Sequence, residues 1–533
     1  MDKAVNSSLQ FDLILNLIEP VGESGRHQSH HLHAYKPGQE ASLRKDFTRL
    51  EALISTLKQN KKTTEQFRST LVDIPWLPQT LKALSERTLF LHECFELKKL
   101  LYYALQLKEL CHKHGLDKYY PFPALDKPYA LLDPEHKNSP AFTLNAAFDP
   151  KLAKYIGQLQ DLQLIRRQAK SQLMQTAQKA LKLSNPVDVI VVSRAQTAQV
   201  NKLSKSSFYH LADENFANLT YKLKDTKQLT TIKTHISSLT VKLAKAEEAV
   251  LAALSKKLKT HAKAVIQTAE LICMLDWDYA KVVFAIHHNC IIPKLSSKTQ
   301  LKIDQAVNLP ILLSLTESKR NYQPVDLHFS TQLNVITGPN MGGKTSALKT
   351  VGQLCMMAQY AIPLPAKEVE LCLFDNIWYN HNSSSVENLS SFGREIVSLG
   401  NVLKKKGRNL LLLDELAKGT NPVEGEAILI AVLDYVRKLP CLTLAATHYD
   451  KPAQLRIVSH YAIKGIDVKA LAGHFKTTEA NLNAQLDLIN SLMDYSMIKL
   501  AGKTKPPQNA IPIAEVLGLP DEIIQAALRI MQN

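Results

Sequence analysis

Gly338-Pro339-Asn340-Met341-Gly342-Gly343-Lys344-Thr345 places two glycines five residues apart ahead of Lys-Thr, the spacing of a phosphate-binding loop. The apolar run Leu333 to Ile336 leads in as a strand, and a helix-compatible stretch from Ser346 to Gln359 leads out. In that setting the backbone N–H groups from Gly338 to Gly343 wrap a polyphosphate, helped by the positive end of the helix dipole. Lys344 is expected on the β- and γ-phosphates and the Thr345 hydroxyl on Mg²⁺. The expected phosphate-contacting set is Gly338, Pro339, Asn340, Met341, Gly342, Gly343, Lys344, Thr345 and Ser346. A glycine-rich turn without a ligand is the competing reading, and the strand and helix on either side weigh against it.

The filling of this loop, Gly-Pro-Asn-Met-Gly-Gly-Lys, resembles the nucleotide-binding loop of the MutS family of ATPases. Asn409-Leu410-Leu411-Leu412-Leu413-Asp414-Glu415 reads as a buried strand ending in two carboxylates and resembles a Walker B element. There Asp414 supports Mg²⁺ and Glu415 polarises the attacking water. Leu416 to Gly425 is similar to the family's glycine- and threonine-containing loop, and Leu389-Ser390-Ser391-Phe392-Gly393-Arg394-Glu395 to its Ser-Thr-Phe segment. A second apolar strand, Leu442 to Ala446, runs into Thr447-His448-Tyr449, matching the family's Ala-Thr-His-Tyr switch. The resemblance covers about residues 305 to 460, the helical region before it more loosely, and the tail from Leu517 to Ala527. It implies ATP as ligand, Mg²⁺ as cofactor, and Lys344, Glu415 and His448 as catalytic residues, His448 sensing the γ-phosphate. Thr345 and Asp414 become the magnesium ligands. The family is similar to ABC-type ATPases in building each site from two subunits. Ser390 and Ser391 are therefore expected at a partner's γ-phosphate, in a homodimer formed through the ATPase domain. Tyr322 either stacks on adenine or is a core or loop aromatic.

At 533 residues the chain has room for roughly three or four domains. Sixty-five Lys and Arg against 49 Asp and Glu give a net charge of +16, which suits a polyanionic partner and equally a soluble helical protein. Seven scattered cysteines read as reduced thiols. The polar start Met1 to Asn6 is no cleavable signal, and no run approaches the ~20 apolar residues that span a bilayer. The expectation is a soluble cytoplasmic protein without membrane contact.

The expected fold class is multidomain α plus α/β. Residues 1–145 read as a helical N-terminal module, with leucines at helical spacing over Leu43 to Leu57 and Leu81 to Leu107, closed by a loop from Asp133 to Pro140. Residues 146–300 read as a core and lever-like helical domain: a long helix over 146–182, a strand over Val187 to Val192, then a stretch from Thr230 to His288 without Pro or Gly. About forty helical residues would make a rod of roughly 60 Å, and the resemblance implies a lever there. Residues 301–533 read as a P-loop, ABC-like ATPase domain with a helical tail.

Other clusters carry less. Arg26 to His33 is rich in histidine, but lacks Cys or carboxylates at set spacing and reads as a solvated loop. Cys111-His112-Lys113-His114 has no second ligand pair at zinc-finger spacing, and His287, His288 and Cys290 read as packing or capping residues. Lys256, Lys257, Lys259 and Lys263 form a basic helical face that either tracks phosphates or is simply solvated. Mismatch-repair members of the family carry a Gly-x-Phe-x-Glu segment beside the mispaired base; Phe95-Glu96 lacks that spacing. Fewer residues precede the ATPase region than a full mismatch sensor needs, and the end at Asn533 leaves no room for an added nuclease domain. Two targets stay open. One is DNA, held by a dimeric ATP-driven clamp on branched or damaged duplexes, favoured by charge and lever-like helices. The other is a protein client, a cobalamin-dependent aminomutase reactivated by ATP-dependent remodelling, favoured by the missing mismatch domain.

Overall fold

The computed structural model describes residues 3–318, 320–339, 342–380, 390–466, 492–500, 510–516 and 519–532. Helices and sheets are mixed, in two compact units: Met1–Val72, Leu110–Pro121 and Leu271–Asn533 form the first, Asp73–Glu109 and Phe122–Glu270 the second.

The first unit is built on six strands: β1 (Leu333–Thr337), β2 (Asn376–Tyr379), β3 (Asn409–Asp414), β4 (Cys441–Ala446), β5 (Ser459–Ile466) and β6 (Met493–Lys499). Their order is β6-β5-β1-β4-β3-β2. All neighbours are parallel except β5 and β6. β4 is buried at every position and β3 at all but Asp414. Such unbroken apolar runs suit a parallel sheet covered on both faces, which is why these strands stand out in the sequence. A four-stranded sheet lies in the same unit, with order Lys294–Leu295, Glu368–Leu371, Leu301–Ala306, Val325–Phe329.

The helix after β1 runs from Lys344 to Gln359, two residues earlier than its apolar pattern indicated, because Gly343 turns the chain with φ +91°. Of its 16 residues 13 are buried, so it needs cover on all sides. A Cβ on Gly352 would lie 2.8 Å from the Leu9 methyls and 2.9 Å from a Leu412 methyl. Gln353 Nε2 donates to Leu9 O at 2.8 Å, and Phe11 stacks on Tyr360 with centroids 5.4 Å apart. Leu9 and Phe11, near the start of the chain, thus pack against the helix that follows the glycine-rich loop and against its end.

In the second unit the helix expected over 146–182 is Pro150–Ala180. Asp149 sets its start, accepting from Lys151 N at 2.8 Å, with Pro150 at the first helical position. It packs beside Lys227–Lys259, and between the two in sequence lies a three-stranded antiparallel sheet of Val189–Ser193, Asn218–Leu223 and Tyr209–Glu214. The first strand starts at Val189 rather than Val187, whose carbonyl instead accepts from Tyr209 OH at 2.6 Å. Ala177, Val192, Leu203, Tyr209 and Tyr221 are the core under this sheet.

The stretch from Thr230 to His288 is not one rod. It is two helices, Lys227–Lys259 and Ala262–His287. At the junction Thr260 N and His261 N bond back three residues, to Lys257 O at 3.2 Å and Leu258 O at 2.8 Å, and Thr260 Oγ1 donates to Lys257 O at 2.7 Å. That tightened turn ends the first helix without Pro or Gly. Among the described residues no helix is long and apolar enough to cross a membrane, and all seven cysteines are buried thiols.

Candidate active site

The carboxyl ends of β1, β3 and β4 lie side by side in the sheet, the edge at which open α/β sheets gather ligands. From β1 the chain enters the glycine-rich loop. Gly338 and Gly343 have φ +147° and +91°, backbone states that favour glycine. A Cβ on Gly342 would meet Pro339 O at 2.9 Å, and the Gly342 N–H donates to that same oxygen at 3.1 Å. Lys344 is 5% exposed. Its ammonium donates to Gly338 O at 2.8 Å and Pro339 O at 3.0 Å, inside its own loop. Burial pulls its pKa down to about 8, against the pull of Glu415 and Asp414 in the other direction. Among the described residues its hydrogen bonds go to neutral carbonyls, which leaves a desolvated cation ready to meet an anion. Asn340 and Met341 lie outside the described residues.

β3 delivers Asp414, whose Oδ1 accepts from Thr345 Oγ1 at 3.1 Å and whose Oδ2 accepts from Tyr379 OH at 2.8 Å. Asn380 clamps the Asp414 backbone, donating Nδ2 to its carbonyl at 2.7 Å and accepting its N–H. Glu395 braces Asn380 at 2.6 Å and takes Ala417 N–H at 3.0 Å. This bracing holds an uncommon backbone: Glu415 and Ala417 have φ +52° and +64°, each costing roughly 1 kcal/mol. Glu415 N–H donates to Ala446 O at 2.9 Å, which ties the end of β3 to the end of β4.

Glu415 reaches His448 Nε2 through Oε1 and Lys418 Nζ through Oε2, both at 2.5 Å. Burial pushes its pKa up, but the two partners outweigh this and hold it below the ordinary glutamate value. Burial first, then the charge of Lys344, lowers the His448 pKa. At neutral pH the pair is therefore an ionised carboxylate accepting from a neutral imidazole.

Two hollows flank Thr345. The larger, about 920 Å³, is lined by Gly342 to Ala347 and by Ile311, Leu315, Tyr322, Met493 and Tyr495. Tyr322 is fixed in its wall by accepting Asn308 N–H at 2.7 Å. Tyr495 lies over the loop, its ring 3.1 Å from where a Gly343 Cβ would stand. The smaller, about 400 Å³, is lined by Thr345, Asp414, Glu415, Lys418, Ser391 and Asn380. Ser390 Oγ is taken up as the cap of helix Ser391–Leu403, accepting Gly393 N–H at 3.1 Å, while Ser391 lines the cleft of its own chain.

Lys344, Thr345, Ser346, Asp414, Glu415 and Ser391 thus line these two hollows, and His448 reaches them through Glu415. Tyr379, Asn380, Glu395 and Lys418 join them without having been singled out; Glu395 and Lys418 stand within motif segments but carry no motif role of their own. The other clusters pack locally. His27 stacks on His31 at 4.4 Å, His112 Nδ1 lies 3.1 Å from Asp117, and His288 packs on Phe284 at 4.9 Å. Lys256, Lys257, Lys259 and Lys263 are exposed.

Residues 334–533 match a family model described as MutS domain V. A protein named Endonuclease MutS2 from Caldanaerobacter subterraneus subsp. tengcongensis is 31% identical over 313 residues, 57% of this chain and 36% of that protein. Its namesake from Clostridium tetani is 30% identical over 306 residues, 56% of this chain and 36% of the relative. The one from Fusobacterium nucleatum is 30% identical over 284 residues, 52% and 33%. The match spans about a third of the length of these relatives. The glycine-rich loop and the Ser-Phe-Gly, Asp-Glu and Thr-His-Tyr segments all fall within the stretch that matches MutS domain V, and these relatives carry the name of the same family.

Proposed function

We propose that this chain binds ATP with Mg²⁺ in a P-loop ATPase site, hydrolyses it, and uses the cycle to act on DNA as a homodimeric clamp. The observation that carries the reading is the convergence of Lys344, the Thr345–Asp414 pair and the His448–Glu415–Lys418 cluster at one sheet edge. A hydroxyl and a carboxylate 3.1 Å apart are an oxygen-only donor set, which fits a hard cation such as Mg²⁺. Held there by Thr345 and Asp414, magnesium would supply charge neutralisation to the bound polyphosphate. Lys344 exchanges its loop carbonyls for phosphate oxygens. Glu415 accepts a hydrogen bond from the attacking water and orients it, and His448 turns from Glu415 to the γ-phosphate. Tyr322 and Tyr495 bound the larger hollow, where the base fits.

DNA as target is supported by the +16 charge and by relatives whose name says endonuclease. Dimerisation, with Ser390 and Ser391 serving the partner's phosphates, rests on the family resemblance.

Titration with a fluorescent ATP analogue tests the binding step. Losing a charged donor costs about 1.5–3 kcal/mol, so Lys344→Ala is expected to bind roughly 10- to 100-fold more weakly than wild type. Equal affinity of the two proteins would remove the loop from nucleotide binding. If the ATP-hydrolysing protein holds no single-stranded, duplex or branched DNA even at ~50 mM salt, the DNA target falls and a protein client takes its place.

A further inference from the structure

The second unit carries a surface that the nucleotide site does not use. At the start of helix Leu91–Lys113, Phe90, Leu91 and Phe95 stand 57%, 46% and 42% exposed. Leu91 and Phe95 are one turn apart on one helix face, and Lys99 extends that row by another turn. Phe90 is held rigid. The Arg87 guanidinium lies over its ring at 4.6 Å, the His92 ring stacks at 5.8 Å, and Glu93 fixes Arg87 through bonds of 2.8 and 2.7 Å. Between Arg87 and Phe90, buried Leu89 donates its N–H to Ser255 Oγ at 2.9 Å. That bond brings the last turn of helix Lys227–Lys259 alongside the aromatics. Lys259 lies one turn beyond Ser255 on the same face, Lys256 adjoins it, and Lys256, Lys257 and Lys259 are all exposed. Glu93 is engaged by Arg87, and the remaining acids of the segment, Glu86 and Glu96, are outnumbered by Lys99 and the three helix-end lysines.

Adjacent exposed aromatics mark a contact surface. Apolar side chains alone would suit a pocket on another protein. Phenylalanines rimmed by lysines suit a strand whose bases offer their faces while its phosphates meet cations. A closed duplex hides those faces.

We propose that Phe90, Phe95, Lys256, Lys257 and Lys259 bind the single-stranded portion of a nucleic acid, bases stacking on the phenylalanines and phosphates meeting the lysines. This rests on the reading that DNA is the target, and it narrows the target to DNA with unpaired segments: gaps, tails or open junctions.

The test uses the full chain and fluorescence anisotropy with a mixed-sequence single strand and with a duplex of equal length. Phe90→Ala/Phe95→Ala is expected to weaken single-strand binding about tenfold or more, because stacking is a substantial term for each base, and to leave duplex binding unchanged. Lys256→Ala/Lys257→Ala/Lys259→Ala is expected to weaken single-strand binding and flatten its salt dependence. Phe95→Leu keeps the apolar bulk and removes the ring, so it separates stacking from plain apolarity; it is expected to behave like the alanine variant, and Phe95→Trp like wild type. Wild-type affinity in the double phenylalanine variant, or in Phe95→Leu, would overturn the proposal while leaving DNA as target. A wild-type protein that binds neither strand nor duplex would overturn both.

Discussion

Gly352 sits inside a helix, where alanine ordinarily stabilises by about 1 kcal/mol. Here the added Cβ would stand 2.8 Å from Leu9 and 2.9 Å from Leu412, and overpacking of that kind costs ~1–3 kcal/mol. Gly352→Ala is therefore expected to lower Tm, and a raised Tm would show that Leu9 does not cover this helix. Asn380 gives the matching test at the site. It holds the Asp414 backbone on both sides and is braced by Glu395. Asn380→Ala is expected to reduce kcat about tenfold through misplaced Asp414 and Glu415, since small displacements of catalytic groups are costly, with ATP affinity nearly kept. Loss of affinity with kcat intact would assign Asn380 to binding instead. The proximity of Lys344, Thr345, Asp414, Glu415 and His448 was legible because each follows an apolar strand within a motif that resembles the family's, and neighbouring strands bring such ends together. Asn380, Glu395, Tyr379 and Lys418 were not, since any of them could sit on a surface until the sheet brings β2 beside β3.

Among the elements, strands β1, β3 and β4 announce themselves as short apolar runs, whereas the helix read from residue 146 begins only at Pro150, after the Asp149 cap. The break at Thr260-His261 leaves no such mark, because the helix ends by tightening its last turn rather than at a breaker residue. Helix Ala262–His287 also carries a polar centre that its apolar periodicity conceals. Asp278 is buried, with Arg49 at 2.6 Å, Lys281 at 2.8 Å and Tyr120 OH at 3.0 Å. Burial raises its pKa, but Lys281 and Arg49 more than offset this, and the carboxyl titrates below the ordinary aspartate value. A carboxylate lowered in the folded state contributes stability that is present above the unfolded pKa of ~3.9 and lost as pH falls through the folded value. Asp278→Asn leaves buried Lys281 without its counter-charge and Arg49 with Asp46 alone, and is expected to lose ~3–5 kcal/mol at pH 7. That deficit should shrink as the wild type is acidified below about pH 4. Denaturant unfolding at both pH values checks it, and a deficit of equal size at pH 7 and pH 3 would mean that charge is not the cause.

For the whole molecule, the proposed sharing of a site between two chains is open to a mixing experiment. If Ser391 completes the partner's site, Ser391→Ala and Glu415→Gln proteins, each inactive alone, regain ATPase activity when mixed, because one site per mixed dimer then holds both native residues. If Ser391 serves the cleft it lines in its own chain, every site keeps a defect and mixing restores nothing. Either outcome leaves the central claim to Glu415, the carboxylate held between His448 and Lys418. The most direct measurement is single-turnover hydrolysis of Mg-ATP by Glu415→Gln beside wild type, with ATP binding followed in the same samples. The account predicts wild-type ATP affinity and a hydrolysis rate lower by about 100-fold or more, the scale on which a positioned acid–base group acts. Hydrolysis at the wild-type rate would contradict it.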